Sequence, residues 1–512
     1  MSSQSRDMEA RAGWGLHSFR SKVALVMAAW MLGGCAVQPE PIGEEEVAQR
    51  VRTDMSRMFP QTPGQGLVLG LDEAFAFALE HNLEHRLKRL DEALAVGDVK
   101  LARMEMLPEV AASAGYQARN NDPGTESGGV SSVTQEREHA LGNLSISWNL
   151  LDFGLGYLNA RQKADKVLIS KEKRRKAIHM LFEQVRQGYW RAVTAHVLLP
   201  DLERLLQESD QALARSRRLE RLGDQDPGES IVYQKSLLET IHRLWQIQRE
   251  LSQAQSEFAA QLGLRPGTPY ALRGVTEDRL PALPQGLSLP VMESVALFRR
   301  PELREEDYQH RISGLDVRRA RWESFPGLGT TLGGFFDEDR FLINNTWGTV
   351  GLQLSFDLIR LFTHGTRTGL AEMRQDYAEA RRLAVAAGVV VQLHLAMETH
   401  RISHEMFMVS QQLRKVSERA VSHAHARQQA KAGGDLELIR LRADALLSAY
   451  REGTTFAERE SALGRIYLSL GYDFLPPEED TAAPERIIAL VRERKNAVSS
   501  QVGQWAAEVT GP

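Results

Sequence analysis

The sequence predicts a mixed α/β protein that repeats one plan twice: a pair of strands, then a very long helix and a shorter return helix. Three observations predict this class: an internal duplication, short segments of alternating apolar and polar residues, and long charged segments with helical spacing. At 512 residues, with 42% hydrophobic and 25% charged, the chain is long enough for several domains. The net charge of −4 argues against nucleic acid as a partner.

The first 34 residues predict a signal peptide. A polar, basic stretch precedes the apolar run from Val23 to Leu32, which is too short to span a bilayer but suits a leader. The run ends in LGGC, which resembles the lipobox of bacterial lipoproteins. This resemblance implies that Cys35 becomes the lipidated, palmitate-carrying first residue of the mature chain. The alternative is an ordinary signal peptide followed by a chance cysteine, and Met8 is a second candidate for the start.

The duplication appears as short segments of the first half that align with segments of the second half at a nearly constant offset. ALEHNLEHR, which begins at Ala78, aligns with ALFRRPELR, which begins at Ala296, and the same offset places Pro108 on Pro326. Farther on, LSISWNL aligns with LQLSFDL at an offset ten residues smaller, so the first copy has an insertion in its polar, Gly/Ser-rich loop. The predicted organisation is a signal peptide (1–34), a lipidated extended segment (35–66), a first repeat (67–262), a linker (263–290), a second repeat (291–472) and a C-terminal tail (473–512).

Each repeat contains two predicted strands that are apolar on one face. The first strands are weaker and carry Val110, Ala112, Ala114 and Tyr116, then Leu328, Thr330, Leu332 and Gly334. The second strands carry Leu144, Ile146, Trp148 and Leu150, then Val350, Leu352, Leu354 and Phe356. This alternation fits a membrane β-barrel and equally a soluble antiparallel sheet with one buried face. No segment after the leader has the eighteen or more consecutive apolar residues of a transmembrane helix, so a membrane crossing would have to use strands.

Very long helices are predicted at 152–222 and 363–431, with a kink expected at Pro200. Helices of this length favour coiled-coil-like packing over a compact globule. Each ends at a turn rich in glycine and aspartate, and return helices are predicted at 230–262 and 435–470.

In this order and duplication, the segments resemble the TolC-like outer-membrane efflux proteins over residues 67–472. The resemblance implies a trimer in which each chain gives four strands to a shared twelve-stranded barrel, continued by an α-helical coiled-coil tunnel through the periplasm. It places the alternating apolar residues of the second strands on the lipid side and assigns segments 36–66, 263–290 and the tail to a belt around the middle of the tunnel, where the Pro-rich pieces of 263–290 fit irregular wrapping. Physical chemistry also requires an oligomer if these strands span a membrane, because four strands cannot close a barrel and open edges cannot face lipid.

The resemblance also implies functional residues at the helical turns. It makes the tips a docking site for a periplasmic adaptor protein, which here covers Gly223, Asp224, Asp226, Gly433, Gly434 and Asp435. Ordinary helix capping by the same residues is the alternative. A tunnel constriction falls on Leu438 and Arg442, where an arginine replaces the acidic residue of some relatives and would repel cations. An alignment shifted by one helical turn would put Asp435 or Asp444 in the acidic position instead.

The sequence offers no catalytic, metal or cofactor site. It lacks a phosphate-binding loop and a nucleophile elbow, so we expect a protein without enzymatic activity and without a cofactor. The paired histidines are interpreted as surface residues of solvated helices, with no metal site: His81, His85, His400, His404, His423 and His425.

The expected function is that of the outer-membrane channel of a tripartite efflux pump. It would be a passive exit duct for small molecules, lipid-anchored in the outer membrane and opened when a periplasmic adaptor and an inner-membrane pump dock. Two alternatives are the exit duct of type I protein secretion and a lipid-anchored periplasmic coiled-coil scaffold.

Overall fold

A computed structural model describes residues 40–59, 68–222, 226–273, 278–430 and 434–510. The chain divides into two compact units, residues 1–60 and 61–512. The described part of the first unit is one helix, α1 (Glu44–Met58), which buries none of its residues. Acidic residues in its first turn and Arg57 in its last turn match the helix dipole.

The first half of the larger unit contains two short helices, a strand pair with a small hairpin between its strands, and two long helices. Its elements are β1 (Val68–Leu69), α2 (Leu71–His81), α3 (Leu83–Met104), β2 (Glu109–Ala118), β3 (Gly124–Ser127), β4 (Val130–Val133), β5 (Glu138–Asn149), α4 (Leu150–Leu222) and α5 (Pro227–Gln261).

The second half repeats this order without the small hairpin and adds a C-terminal helix. Its elements are β6 (Ala271–Leu272), α6 (Leu289–Arg299), α7 (Pro301–Trp322), β7 (Gly327–Asp337), β8 (Thr346–Ser355), α8 (Leu358–Gln429), α9 (Asp435–Ser469), a 3₁₀ turn (Pro477–Glu479) and α10 (Pro484–Thr510). A parallel pair formed by β1 and β6 joins the two halves.

The four long strands form one antiparallel sheet in the order β2-β5-β7-β8. Leu144 of β5 lies opposite Ala112 of β2 and Gly334 of β7, and Leu332 of β7 lies opposite Val350 of β8. The sheet therefore places the strand pairs of the two halves side by side. The β3–β4 hairpin occupies the insertion that the sequence places in the first copy.

The long helices extend away from the sheet. α4 has 73 residues and α8 has 72, and at 1.5 Å per residue each is about 110 Å long. Near the sheet the helices pack in the order α3-α4-α7-α8, and toward the tips in the order α5-α4-α9-α8. α4 continues through Pro200, which lies inside the helix.

The main hydrophobic core lies at the level where α2, α6 and α10 surround the middle of the long helices. Phe182 of α4 and Phe474 stack there, with ring centroids 4.1 Å apart. Arg186 of α4 is fully buried beside them and donates to the Glu460 carboxylate of α9 at 2.7 Å. Burial is the main effect on this guanidinium and lowers the pKa of Arg186 to about 10. A second core between α4, α5 and α9 continues toward the tips.

The C-terminal tail, which we expected to join the belt, is mainly helical. Its last 27 described residues form α10, which packs against α2 and α6. Lys495 of α10 is almost fully buried, and its ammonium group lies 2.9 Å from both carboxylate oxygens of Asp72 in α2. The tail is a helix because its apolar side, with Val491, Val498 and Val502, completes the main core.

We predict that Lys495→Met destabilises the protein by about 3 kcal/mol, because it leaves the Asp72 carboxylate buried without its main partner. The apparent thermal unfolding midpoint, followed by circular dichroism in detergent, measures this change. Lys88→Met is the matched control, since Lys88 pairs with Asp91 on the surface and exposed ion pairs contribute little. Equal midpoints for the two variants would contradict the assignment of Lys495 as an anchor of the tail.

Candidate functional site

One face of the sheet is apolar and exposed to its surroundings. Direct cross-strand pairing in an antiparallel sheet puts opposite residues on the same face. The register therefore places on this face Val110, Leu144, Ile146, Trp148, Leu328, Leu332, Val350, Leu352 and Leu354. All of them are exposed in the isolated chain, and Val350 is 85% exposed. No part of the described chain covers this apolar face.

The opposite face of the same sheet carries mainly small and polar residues. The register places on it Ser113, Gln117, Asn143, Ser145, Ser147, Thr331, Thr349 and Gln353. A sheet with one apolar and one polar face, both without a covering layer, has the composition of a barrel wall between lipid and water.

Two residues that we expected on the lipid-facing strands lie just outside them. Leu150 is the first residue of α4, because Asn149 ends the strand and its side-chain oxygen accepts the backbone N–H of Leu151 at 3.0 Å. Phe356 follows β8, where Asp357 caps α8 by accepting the N–H of Arg360 at 3.1 Å. Both side chains are exposed at the junction of strand and helix.

Both outer edges of the sheet are open. Within the described residues, β2 pairs only with β5, and β8 pairs only with β7. The free edges run antiparallel to each other, because the intervening strands alternate in direction. The edge of β2 in one copy can therefore pair with the edge of β8 in another.

Open apolar stripes follow the outermost helices, and the sequence interpretation missed them. On α3 the stripe contains Leu83, Leu87, Leu90, Leu94, Leu101 and Met104, and Leu94 is 71% exposed. It lies opposite the buried face of α3, which contains His85, Val99 and Ala102. Spacings of three and four residues between the leucines are the heptad signal of a helix–helix seam and could have revealed it.

A second stripe follows α8 over most of its length, from Leu370 to Val416. Its exposed members are Leu370, Met373, Tyr377, Val391, Leu395, Ile402, Met406, Val409, Leu413 and Val416. Among the described residues, α8 is also the one helix with an 18-residue window apolar enough, by length and composition alone, for a membrane span, and only 17% of that window is buried. We interpret the window as part of an uncovered packing face, since it continues the stripe.

The described residues of the two tips include helix caps. Asp226 caps α5 by accepting the backbone N–H of Glu229 at 3.0 Å, and Pro227 follows it in the first helical turn. Gly434 precedes α9, and its first residue, Asp435, accepts a hydrogen bond from Gln428 at 2.8 Å. Gly223, Asp224, Gly433 and the predicted lipid anchor Cys35 lie outside the described residues.

The two residues expected at a tunnel constriction both make contacts inside their own chain. Leu438 is buried within its own chain, so its side chain is not exposed at the surface. Arg442 donates to the Glu208 carboxylate of α4 at 2.6 Å, which offsets the positive charge that we expected to repel cations. The pairing follows from the packing of α9 on α4.

Ion pairs tie α9 to the other helical hairpin near the tips. Besides Arg442 and Glu208, Arg243 of α5 lies 3.4 Å from Asp444, and Arg215 of α4 lies 3.8 Å from Asp435. These side chains are half-exposed to exposed, so each pair is weak and separable.

One of the paired histidines is a core residue. His85 is buried with its Nε2 2.7 Å from Asp480, which corrects its interpretation as a surface histidine. His400 is half-buried, and burial lowers its pKa. In the described ranges, no group of three or more His, Cys, Asp or Glu side chains is arranged to hold a metal ion.

A charge cluster anchors the beginning of the tail, and sequence reasoning missed it. Asp473 lies 2.6 Å from the Nε2 of His179 and 2.6 Å from the Nε of Arg175, both on α4. Burial raises the pKa of Asp473, but the hydrogen bonds and charges of these two partners outweigh it and lower the pKa to about 2. The cluster fixes the tail to the first repeat.

The fold is similar to that of solved outer-membrane channels. The outer-membrane channel CmeC of Campylobacter jejuni has a TM-score of 0.66 at 14% sequence identity, covering 83% of this chain and 89% of that one. The open state of the Neisseria gonorrhoeae channel MtrE has a TM-score of 0.63 at 18% identity, covering 79% and 90%. The outer-membrane protein VceC of Vibrio cholerae has a TM-score of 0.59 at 12% identity, covering 79% and 97%. No protein-family model and no curated protein sequence matches the chain.

The chain thus has the fold of the outer-membrane channels. More specifically, the TolC-like resemblance deduced from its sequence is confirmed at the level of fold.

We predict that the Asp473 cluster makes stability depend on pH between about 5 and 2. The folded-state pKa of about 2 is below the unfolded value of about 3.9, so the stabilisation, roughly 2.5 kcal/mol, is present above pH 5 and is lost as the pH falls toward 2. Asp473→Asn should lower the unfolding midpoint at pH 7 and flatten its decline in acid. Asp201→Asn, at an exposed pair with Arg204, is the control. Parallel pH profiles for Asp473→Asn and the unaltered protein would contradict the prediction.

Proposed function

We propose that three copies of this chain close into a ring that serves as a passive exit duct across the outer membrane. The observation that carries the proposal is that the sheet has an unpaired strand at each edge and the helical layer has an uncovered apolar stripe on each outermost helix. A ring of identical copies covers every one of these surfaces with the same contact. The number three follows the TolC-like resemblance.

At the level of the sheet, the free edge of β2 would pair with the free edge of β8 in the next copy. Three copies would then give a closed twelve-stranded barrel with no unpaired edge. The apolar face containing Leu144, Ile146, Trp148, Val350, Leu352 and Leu354 would contact lipid, and the polar face would line water. Leu150 and Phe356 would lie where the barrel wall meets the helices.

At the level of the helices, the order α3-α4-α7-α8 leaves the two apolar stripes at opposite ends of the layer. The α3 stripe of one copy would therefore pack against the part of the α8 stripe nearest the sheet in the next copy, around Leu370, Met373 and Tyr377. Toward the tips, α5 would pack against the remaining part of the α8 stripe in the same way. The exposed Ile231, Leu238 and Trp245 of α5 provide its apolar contacts there. The result is a coiled-coil tunnel that continues the barrel.

Attachment and energy supply complete the proposal. A lipid on Cys35 would hold the protein in the outer membrane, with the helices in the periplasm. We propose that the tips, including Asp226, Gly434 and Asp435, dock a periplasmic adaptor that connects to an inner-membrane pump, so the duct itself needs no enzymatic activity and no cofactor.

Separation of the weak ion pairs near the tips would let the helical ends move outward. A constriction at Leu438 and Arg442 stays a prediction that requires rotation of α9.

The assembly is tested by placing charges on the α3 stripe. We predict that Leu87→Glu with Leu94→Glu abolishes the oligomer that survives detergent and the ion conductance it gives planar bilayers, because carboxylates would be buried between copies. Both side chains face away from their own chain, so the circular dichroism spectrum should be unchanged. Ile343→Glu, at a loop residue that is 98% exposed, is the control and should conduct normally. A conducting oligomer of the double variant would contradict the ring.

Docking at the tips is tested separately with a photo-crosslinking amino acid at Asp435 in living cells. We expect it to capture a periplasmic adaptor that mass spectrometry identifies. The same label at Asp98, on an exposed part of α3, should not. The pump that belongs to the captured adaptor separates small-molecule efflux from type I protein secretion. Capture of only neighbouring copies or cell-wall proteins at Asp435 would contradict docking and favour a periplasmic scaffold.

A further inference from the structure

Two aromatic rings lie together on the polar face of the sheet. Phe335 of β7 and Trp347 of β8 are direct partners in the register, with ring centroids 5.6 Å apart and ring planes inclined by 12°. Among the described residues of the four long strands, they are the only Phe, Tyr or Trp side chains on this face. The aromatic residues that suit a lipid interface, such as Trp148 and Phe336, are on the opposite face.

The local backbone makes room for these rings. A Cβ atom at Gly333 would lie only 2.7 Å from the Phe335 ring and 3.0 Å from the Thr349 hydroxyl, so glycine leaves room for the Phe335 ring to lie over residue 333 of its own strand. Around the pair, Ser113 and Asn143 continue the same row on the neighbouring strands. Trp347 remains 42% exposed, which leaves ring surface available to a solute.

The pair lies near the end of the sheet that is remote from the long helices. Phe335 is two residues from the end of β7, and Trp347 is the second residue of β8. The segments that surround this end, 119–139 and 337–346, contain seven carboxylates and three arginines. The excess of four acidic groups per chain gives this end a potential that attracts cations.

We propose that Phe335 and Trp347 form a binding site for planar aromatic cations on the inner wall of the barrel near its outer mouth. This inference rests on the proposed function, because only closure into a barrel turns the polar face toward the duct. An aromatic ring presents a negatively polarised face that binds a cation and stacks with a planar ring, and the acidic segments favour the same charge. A ring of copies would place several such pairs at one level of the wall, where they select among departing solutes.

The test measures block of single-channel current by ethidium, a planar aromatic cation, in planar bilayers that contain the purified full-length protein. We expect Trp347→Ser with Phe335→Ser to leave the conductance for potassium chloride nearly unchanged and to weaken the block about tenfold, as loss of a cation–π contact predicts. Trp347→Phe should keep most of the block. Phe336→Ser removes a ring at the same level from the opposite face, and ethidium should block this variant as strongly as the unaltered protein.

The outcomes separate this inference from the proposed function. Conducting channels that ethidium blocks equally with and without the two rings would overturn the aromatic site and leave the duct intact. Equal weakening of the block by Phe336→Ser would also overturn it, because the effect would then not belong to the inner wall. Absence of conductance from the unaltered protein would contradict the duct itself.

Discussion

Unpaired backbone groups at the two open edges of the four-stranded sheet are the constraint on which the rest of the architecture depends. Within the described chain, one side of β2 and one side of β8 have no partner strand. In hydrocarbon, each unpaired N–H or C=O group costs several kcal/mol, so a membrane sheet must close on itself. If the apolar face contacts lipid, as we propose, pairing between copies becomes obligatory.

The helices extend the same constraint along the whole length of the larger unit. A tube of helices has no edge, but a single chain presents two edges: the α3 stripe on one side and the α8 stripe on the other. In the proposed ring, hydrophobic burial between copies would join the helices as hydrogen bonds join the strands. Both layers would then close by repeating one contact.

Buried ion pairs hold the two halves of the chain in register. Arg186 and Glu460 join α4 to α9, and Lys495 and Asp72 fix the C-terminal helix to α2. Such pairs are costly to break one partner at a time. The weaker pairs toward the tips, such as Arg243 with Asp444, leave that end of the helices freer to move.

The sequence predicted what is local and periodic. Alternation from Leu144 to Trp148 marks a strand because side chains change face at each residue, and Asp226 marks a helix start because its side chain caps a nearby N–H group. The start of α8 was predicted five residues too late, at 363 instead of Leu358. The buried pairs were beyond reach because their partners are far apart in the chain: 395 residues separate His85 from Asp480, and 423 separate Asp72 from Lys495.

A search for heptad spacing could have found the leucines of the α3 stripe. It could not have shown that they are exposed, because that depends on which face of α3 the neighbouring helix covers. The fate of Leu438 and Arg442 depends on side-chain packing between α9 and α4, which spacing alone does not determine.

Closure between copies is tested most directly by electron cryo-microscopy of the purified full-length protein. We expect a ring of three copies in which β2 of one copy is hydrogen-bonded to β8 of the next, and α3 of one copy contacts α8 of the next. A particle with β2 and β8 unpaired, or one in which the α3 and α8 stripes face solvent, would contradict it.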